Sequence, residues 1–257
     1  MKKVLVTGAN GQLGQCIQKI SEYYANLEFI FKDSKQLDIT NAVEVDTLFT
    51  KKKFHFCVNC AAYTNVEQAE KTPDMAFKVN AEGAKNIALA CNKYKTTLIH
   101  ISTDYVFDGE KEEPYSVEDA TNPINEYGKS KLQGELYIQE ILKKHLIIRT
   151  SWLYSEFGRN FYKTILDKAI SEKILYVTDA QTGCPTNANH LAKHILETIN
   201  ENEMEYGVHH FTDGHAMTWY DFAKKILLDK QLTGKVELFR AIVCNTNIKR
   251  PRNSRLT

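Results

Sequence analysis

A tyrosine and a lysine one helical turn apart form the most reactive pair in this sequence. Tyr127 and Lys131 are four residues apart, a spacing that puts both side chains on one face of a helix. An ammonium beside a phenol favours the phenolate and lowers the tyrosine pKa, which is ordinarily near ~10. The pair therefore predicts a general acid that works at neutral pH. On its own, the spacing is also typical of a solvated helix surface.

A glycine-rich loop near the N-terminus predicts a site for a dinucleotide phosphate. An apolar strand pattern at residues 2–7 leads into the loop at 8–14, and an amphipathic helix pattern follows. Gly8 would allow a tight turn, Gly11 a close approach of the backbone to the pyrophosphate, and Gly14 close packing of helix and strand. The helix N-terminus would favour the anion. The alternative is a glycine-rich turn without a ligand.

A second polar cluster, Ser102-Thr103-Asp104-Tyr105, stands where an apolar strand pattern at 97–101 ends. A hydroxyl group there can hydrogen-bond a substrate carbonyl oxygen beside the Tyr127 phenol. The phosphate loop, this cluster and the Tyr-Lys pair occur in this order along the chain. Together they predict nicotinamide-dependent carbonyl chemistry.

The elements that would position these residues alternate between strands and helices. Strand patterns occur at 2–7, 27–31, 55–59, 97–101 and 145–150, and helix patterns at about 41–52, 74–94 and 123–143. This alternation predicts an α/β fold with a doubly wound, Rossmann-like parallel sheet. We expect residues 1–150 to form a dinucleotide-binding domain. Shorter elements at 151–257 predict a smaller C-terminal lobe that interleaves with it.

Several positions allow two interpretations. Asp38 could cap the following helix, or it could lie with Ile39 at the adenine of a cofactor. Asn80 could brace the active site or lie on a helix surface. Trp152 could fill the core, but its place after a strand favours a stacking wall for a sugar or base. The basic stretch at 249–255 could hold a phosphorylated substrate or be a solvated tail.

Composition restricts the partners and the compartment. The 257 residues are 43% hydrophobic and carry a net charge of +1, so no overall field attracts nucleic acid or a membrane surface. The apolar run at the N-terminus is too short for a signal peptide, and no run approaches the ~20 apolar residues of a membrane span. We therefore expect a cytoplasmic protein. His190 and His194 have the spacing of metal ligands, but no acid completes the set, so no metal is predicted.

The cofactor choice depends on the residues that follow the second strand pattern. An acidic residue there would bind the adenosine 2′-hydroxyl of NAD, and a basic one would accommodate the 2′-phosphate of NADP. Lys32 and Asp33 are adjacent, so this rule alone does not decide between the cofactors. Lys32 and Lys35 favour NADPH.

Seven motifs in one order extend over essentially the whole chain. They are Gly8-x-Asn10-Gly11-Gln12-Leu13-Gly14, Leu37-Asp38-Ile39-Thr40, Ala61-Ala62-Tyr63-Thr64, Ser102-Thr103-Asp104-Tyr105-Val106-Phe107-Asp108-Gly109, Tyr127-x-x-x-Lys131, Arg149-Thr150-Ser151-Trp152 and Gly183-x-Pro185-Thr186. This set resembles the dTDP-4-dehydrorhamnose reductase family of extended short-chain dehydrogenases/reductases.

The resemblance implies that NADPH, or NADH, reduces the C4 ketone of dTDP-4-dehydro-β-L-rhamnose to dTDP-L-rhamnose for cell-surface polysaccharide. It implies that Thr103 orients the ketone oxygen, Tyr127 delivers the proton and Lys131 holds the nicotinamide ribose. Thr103, Asp104 and Trp152 would contact the sugar. The cofactor residues that it implies are Gly8, Asn10, Gly11, Gln12, Leu13, Gly14, Asp38, Ile39, Ala61, Ala62, Tyr63, Thr64, Ser102, Tyr127 and Lys131.

The chain departs from the family in three places. Cys60 stands where the family usually has Ala, a small change that should be tolerated. Gln15 stands where some relatives place a Glu that helps to bind magnesium at a dimer interface, so we expect no metal and a monomer or a homodimer. The sequence ends at Thr257, where relatives usually continue into a closing helix. We therefore expect a shortened tail and a less complete substrate lid.

Two other functions fit the same scaffold. A nucleotide-sugar epimerase or dehydratase would carry tightly bound NAD. A non-catalytic regulatory subunit would bind the cofactor without turnover, and such a protein has no need for Tyr127, Lys131 and Thr103 together.

Overall fold

Six parallel strands form the central sheet in the computed structural model, which describes residues 1–201, 204–241 and 248–257. The strands of the chain are β1 (Lys2–Thr7), β2 (Leu27–Lys32), β3 (Phe56–Asn59), β4 (Thr97–Thr103), β5 (His145–Thr150), β6 (Leu153–Tyr154), β7 (Ile174–Val177), β8 (Thr182–Gly183), β9 (Thr186–Asn187), β10 (Gly207–His210), β11 (Met217–Thr218) and β12 (Glu237–Arg240). The helices are α1 (Gln12–Ile20), α2 (Ala42–Lys52), α3 (Val66–Lys71), α4 (Pro73–Phe77), α5 (Ala84–Tyr94), α6 (Glu126–Ile141), α7 (Phe161–Ser171), α8 (Ala188–Glu201) and α9 (Trp219–Asp229).

The sheet has the order β10-β5-β4-β3-β1-β2. Alternate side chains of each strand face opposite sides. Val4 and Val6 pack with α1 and α8 on one side, whereas Leu5 packs with α2, α5 and α6 on the other. The predicted doubly wound parallel sheet is confirmed. Its winding reverses between β1 and β3, the place where such sheets bind ligands outside the carboxyl ends of their strands.

Two helix predictions need correction. The predicted helix at 74–94 is α4, a π-helical segment at Lys78–Gly83, and α5. The helix predicted to begin at Pro123 begins instead at Glu126, because the Asn125 side chain accepts a hydrogen bond of 2.8 Å from the backbone N–H of Gly128. That bond is an N-cap and fixes where α6 starts.

The last third of the chain contributes to both parts of the molecule. β10 pairs with β5 in the central sheet, and α8 packs against α1. A separate apolar cluster joins α7 and α9 to the β7–β12 pair, with Ile165, Leu175, Phe222 and Ile226 among its buried residues. We call the elements around this second cluster, α7, α9, β7 and β12, the smaller lobe.

The basic C-terminal segment is not a solvated tail. The backbone of residues 252–257 bonds to Gly109, Tyr115 and Thr182, and Leu256 is buried beside Phe107. The alternative of a solvated tail is therefore wrong. Among the described residues, no helix combines the length and the apolar character required to cross a bilayer.

Candidate active site

The carboxyl ends of β1, β3 and β4 open onto a cleft made of two adjoining cavities. Their volumes are about 370 and 540 Å³. Gly11, Cys60 and Ala62 line both cavities, so the cleft is continuous. We call the first the loop cavity and the second the tyrosine cavity.

The cleft brings together almost all of the predicted site residues. The loop cavity is lined by Gly8, Asn10, Gly11, Asp38, Ile39, Ala61, Ala62 and Tyr63. The tyrosine cavity is lined by Gly11, Gln12, Leu13, Ala62, Thr64, Ser102, Thr103, Asp104, Tyr127, Lys131 and Trp152. Gly14 is the one predicted site residue that lines neither cavity.

The glycines shape the loop by close backbone contacts. Gly8 has φ +62°, a left-handed conformation that favours glycine, and a Cβ there would lie 2.7 Å from the Ala61 nitrogen. At Gly14, a Cβ would lie 2.5 Å from the Gly8 oxygen. The close packing at Gly14 is therefore against the loop itself rather than the strand. Gly11 caps α1 without a side-chain hydrogen bond, which leaves N–H groups of the first turn for an anion.

The residue that caps α2 decides between the two interpretations of Asp38. Asn41, not Asp38, caps α2, since its side chain accepts from Val43 and Glu44. The capping interpretation is therefore wrong. The Asp38 carboxylate accepts from the backbone N–H and the hydroxyl of Thr40, at 2.9 and 2.8 Å, and Asp38 lines the cavity.

Asn80 is a brace rather than a surface residue. It is 0% exposed and lies in the π-helical segment. Its side chain accepts from the Tyr63 N–H at 2.8 Å and donates to the Tyr63 carbonyl at 3.0 Å. The same amide donates to the Ser130 hydroxyl at 2.9 Å. Asn80 therefore holds the Tyr63 loop against α6, the helix that carries Tyr127.

Thr103, Asp104 and Tyr127 form the reactive end of the tyrosine cavity. The Thr103 hydroxyl donates to the Asp104 carboxylate at 3.0 Å and accepts from the Tyr105 N–H at 3.2 Å. The Tyr127 ring packs edge-on against Tyr105 with centroids 5.7 Å apart. Asp104 is buried, one of its oxygens has no protein partner in the described structure, and burial raises its pKa to about 6.

The predicted effect of Lys131 on Tyr127 is wrong for this geometry. The pKa of Tyr127 is raised to about 12, chiefly by burial and also by the Asp104 carboxylate, against a lowering effect of the Thr103 hydroxyl. The Lys131 ammonium instead donates to the Ile101 carbonyl at 2.7 Å and contacts His100 Nε2 at 3.3 Å. Burial lowers the pKa of Lys131 to about 8, while Glu135 raises it.

A buried ion pair that sequence reasoning missed lies behind these residues. Arg149 donates to both oxygens of Glu135, at 3.1, 3.2 and 2.7 Å, and both residues are at most 4% exposed. The hydroxyl of Ser102, predicted to bind the cofactor, donates to Glu135. Glu135 lies on α6, one turn after Lys131. Because Ser102 lies on β4 and Arg149 on β5, these contacts join the helix to the ends of both strands.

Trp152 forms a wall of the tyrosine cavity. Its φ is +47°, and its ring stacks on Trp219 with centroids 3.5 Å apart. A Cβ on Gly183 would lie 2.5 Å from the Trp152 ring, so the glycine makes room for the indole. This placement agrees with the wall interpretation rather than with core filling.

A third cavity of about 430 Å³ lies in the smaller lobe beside Tyr105. We call it the lobe cavity. Aromatic side chains and two cations line it: Tyr105, Phe161, Tyr176, Trp219, Lys168 and Arg250. Arg250 belongs to the basic segment and also contacts Glu67 at 3.5 Å.

A sequence model of the RmlD substrate-binding domain matches residues 1–257. The chain belongs to this family. It is 37% identical to a dTDP-4-dehydrorhamnose reductase of Aggregatibacter actinomycetemcomitans, over 99% of this chain and 90% of the relative. The predicted family is confirmed.

Two solved structures of the family superpose on almost the whole chain. A dTDP-4-dehydrorhamnose reductase from Bacillus anthracis, in complex with NADP, has a TM-score of 0.95 at 37% identity, over 100% of this chain and 91% of that one. A dTDP-4-dehydrorhamnose reductase from Clostridium acetobutylicum has a TM-score of 0.94 at 40% identity, over 99% of this chain and 90% of that one.

Proposed function

We propose that this protein reduces the C4 ketone of dTDP-4-dehydro-β-L-rhamnose with NADPH and forms dTDP-L-rhamnose for cell-surface polysaccharide. The observation that carries the proposal is the meeting of Thr103, Tyr127 and Lys131 in one cleft with the glycine loop. Relatives that bear the reductase name cover nearly the whole chain. The expected reaction is a hydride transfer to carbon with a proton transfer to oxygen.

The residues of the cleft fit a dinucleotide. Gly8 and Gly14 leave no room for a Cβ, and the first turn of α1 offers N–H groups to the pyrophosphate. NADPH supplies the hydride when it is bound. Asp33 already accepts from Asn10 at 2.6 Å and from the Lys35 and Gln36 backbones at 2.9 and 3.0 Å, so its charge is partly satisfied. Lys35 lines the same cavity and can meet a 2′-phosphate, which favours NADPH, with NADH possible.

The proton would come from Tyr127. Its raised pKa keeps the phenol protonated until the ketone oxygen becomes basic. The Thr103 hydroxyl, which accepts from the Tyr105 N–H, would turn its one proton from Asp104 to that oxygen and orient it. Lys131 would hold the nicotinamide ribose with the N–H that its contacts with Ile101 and His100 leave over.

The nucleotide half of the substrate would occupy the lobe cavity. Its aromatic rings suit the thymine base, and Lys168 and Arg250 suit the diphosphate. Trp152, stacked on Trp219, would separate the sugar from the base. The basic segment at 249–255 thus takes part in substrate binding through Arg250.

NADPH consumption in the presence of dTDP-4-dehydro-β-L-rhamnose, with NMR of the sugar formed, tests the proposal. We expect a cofactor-free preparation that consumes one NADPH per ketone. Protein purified with tightly bound NAD and active without added NADPH would identify the epimerase or dehydratase instead. Binding of NADPH without turnover would identify the regulatory subunit.

We place the reaction in the cytoplasm, where NADPH and nucleotide sugars are available. We also propose a monomer or a homodimer. Light scattering of the purified protein tests the oligomeric state, and a larger assembly would contradict it.

A further inference from the structure

A row of buried polar residues crosses the central sheet beneath the active-site lysine. Thr7, Asn59 and His100 lie in register on the neighbouring strands β1, β3 and β4. Each is at most 1% exposed, and all three face the side of the sheet covered by α6. None of the three has a role in the proposed reduction.

Hydrogen bonds connect this row to Lys131. The Thr7 hydroxyl bonds Asn59 at 2.6 Å, and the Asn59 amide bonds His100 Nδ1 at 3.1 Å. His100 Nε2 lies 3.3 Å from the Lys131 nitrogen. Among the described residues, Ile101 and His100 are the hydrogen-bond partners of that nitrogen, so one of its three N–H bonds is left for a ligand.

The imidazole can serve either protonation state of the lysine. Burial and the nearby Lys131 and His145 lower the pKa of His100 well below its usual range, so the ring is neutral and has a single N–H. Opposite an ammonium, Nε2 accepts and Nδ1–H donates to the Asn59 amide oxygen. This state requires the Asn59 amide to be turned over, because its nitrogen faces Nδ1 and its oxygen accepts from Thr7 in the structure. Opposite an amine, Nε2–H donates, and Nδ1 accepts from the Asn59 amide nitrogen.

We propose that His100 is a positioning residue for the proposed reduction, fixed by Asn59 and Thr7, which aims the Lys131 ammonium at the cofactor ribose. Without the Nε2 acceptor, the lysine would keep the Ile101 carbonyl but lose its second anchor. Its charged form would also lose a partner inside a buried site, where an unmade hydrogen bond costs most. The inference rests on the proposed function.

Other ionisable groups around Lys131 also affect its protonation. They are Tyr127 and Glu135 on α6, Cys60 after β3, and Arg149 on β5 behind Glu135. Glu135 and Cys60 raise the pKa of Lys131, against the effect of burial. None of these groups changes when His100 is replaced.

Two variants that place an amide at different distances from the backbone test the proposal. In His100→Gln the amide extends to the position of Nε2, whereas in His100→Asn it ends near Nδ1. We expect His100→Asn to lose about ten- to hundredfold in kcat/KM, with the alkaline limb of the pH profile moved to lower pH because the ammonium is less favoured. His100→Gln should restore most of both. His145→Asn replaces a buried histidine that does not contact Lys131 and is the matched control.

Wild-type kcat/KM and pH profile in His100→Asn would overturn the proposal. Equal losses in the Asn and Gln variants, with an unmoved pH profile, would also overturn it, since they would indicate a purely structural role. NADPH affinity, measured by fluorescence titration, separates this inference from the proposed function. A wild-type protein without reductase activity would refute the function, but weaker NADPH binding in His100→Asn than in His100→Gln would still support the role of His100.

Discussion

Replacement of Tyr127 by Phe removes a single atom from the reactive end of the cleft. The Phe ring keeps the edge-on contact with Tyr105 at 5.7 Å. Thr103 keeps its hydrogen bonds to Asp104 and to the Tyr105 N–H, at 3.0 and 3.2 Å. We therefore expect the free energy of unfolding to change by about 1 kcal/mol or less. The glycine loop lies elsewhere in the cleft, so NADPH affinity should be retained.

The rate should fall much more than the stability. A positioned general acid contributes about 10²- to 10⁴-fold, or about 3–5 kcal/mol of the barrier. Steady-state NADPH consumption gives kcat for both proteins, fluorescence titration gives the NADPH affinity, and urea unfolding gives the stability. Turnover of Tyr127→Phe at the wild-type rate would refute the assignment of the proton donor. Loss of NADPH affinity equal to the loss of rate would show that the phenol serves binding instead.

Three further results are expected from the buried charges and the stacked indoles. The stability difference between the wild type and Asp104→Asn, measured by urea unfolding, should shift by about 3 kcal/mol against the wild type as pH rises from about 4 to about 6. The Asp104 pKa is raised from 3.8 to about 6, so the folded state keeps a proton that the unfolded state releases. Buried neutral histidines such as His100 act in the opposite direction in both proteins, and the difference removes their effect. Glu135→Gln should destabilise the fold by about 3–5 kcal/mol in urea unfolding, since it leaves Arg149 buried without its carboxylate. Trp219→Ala, which removes the stack at 3.5 Å, should raise KM for the nucleotide sugar up to about tenfold and leave NADPH affinity unchanged.

The contradicting outcomes differ for each of these. An Asp104→Asn profile parallel to the wild type would mean that this carboxyl does not titrate in that range. A Glu135→Gln protein as stable as the wild type would mean that the ion pair contributes nothing to the fold. An unchanged KM in Trp219→Ala would place the nucleotide outside the lobe cavity.

The fold was predictable because its signals are local. The alternation of strands and helices predicts the doubly wound sheet. The glycine loop between the first strand and the first helix predicts the edge of the sheet at which the site lies. Asn125 shows the limit of this reasoning. Pro123 is a strong start signal, but the hydrogen bond from Gly128 to Asn125 places the first turn of α6 further along the chain.

The composition of the site was predictable, whereas its electrostatics were not. The spacing of Tyr127 and Lys131 correctly put both in the tyrosine cavity. The spacing could not reveal that the Lys131 nitrogen contacts Ile101 and His100, because these partners lie on β4, which is distant from Lys131 in the sequence. The sequence did contain a signal for His100, a single histidine in an otherwise apolar run before Ser102, and a buried polar residue needs a partner.

Transfer of deuterium to the sugar, from NADPH that carries two deuterium atoms at C4 of the nicotinamide ring, tests the central claim most directly. We expect one deuterium on C4 of the sugar in the dTDP-L-rhamnose formed, detected by NMR and mass spectrometry, with NADP⁺ formed in equal amount. A C4 position without deuterium, in a sugar that has nonetheless been converted, would contradict it.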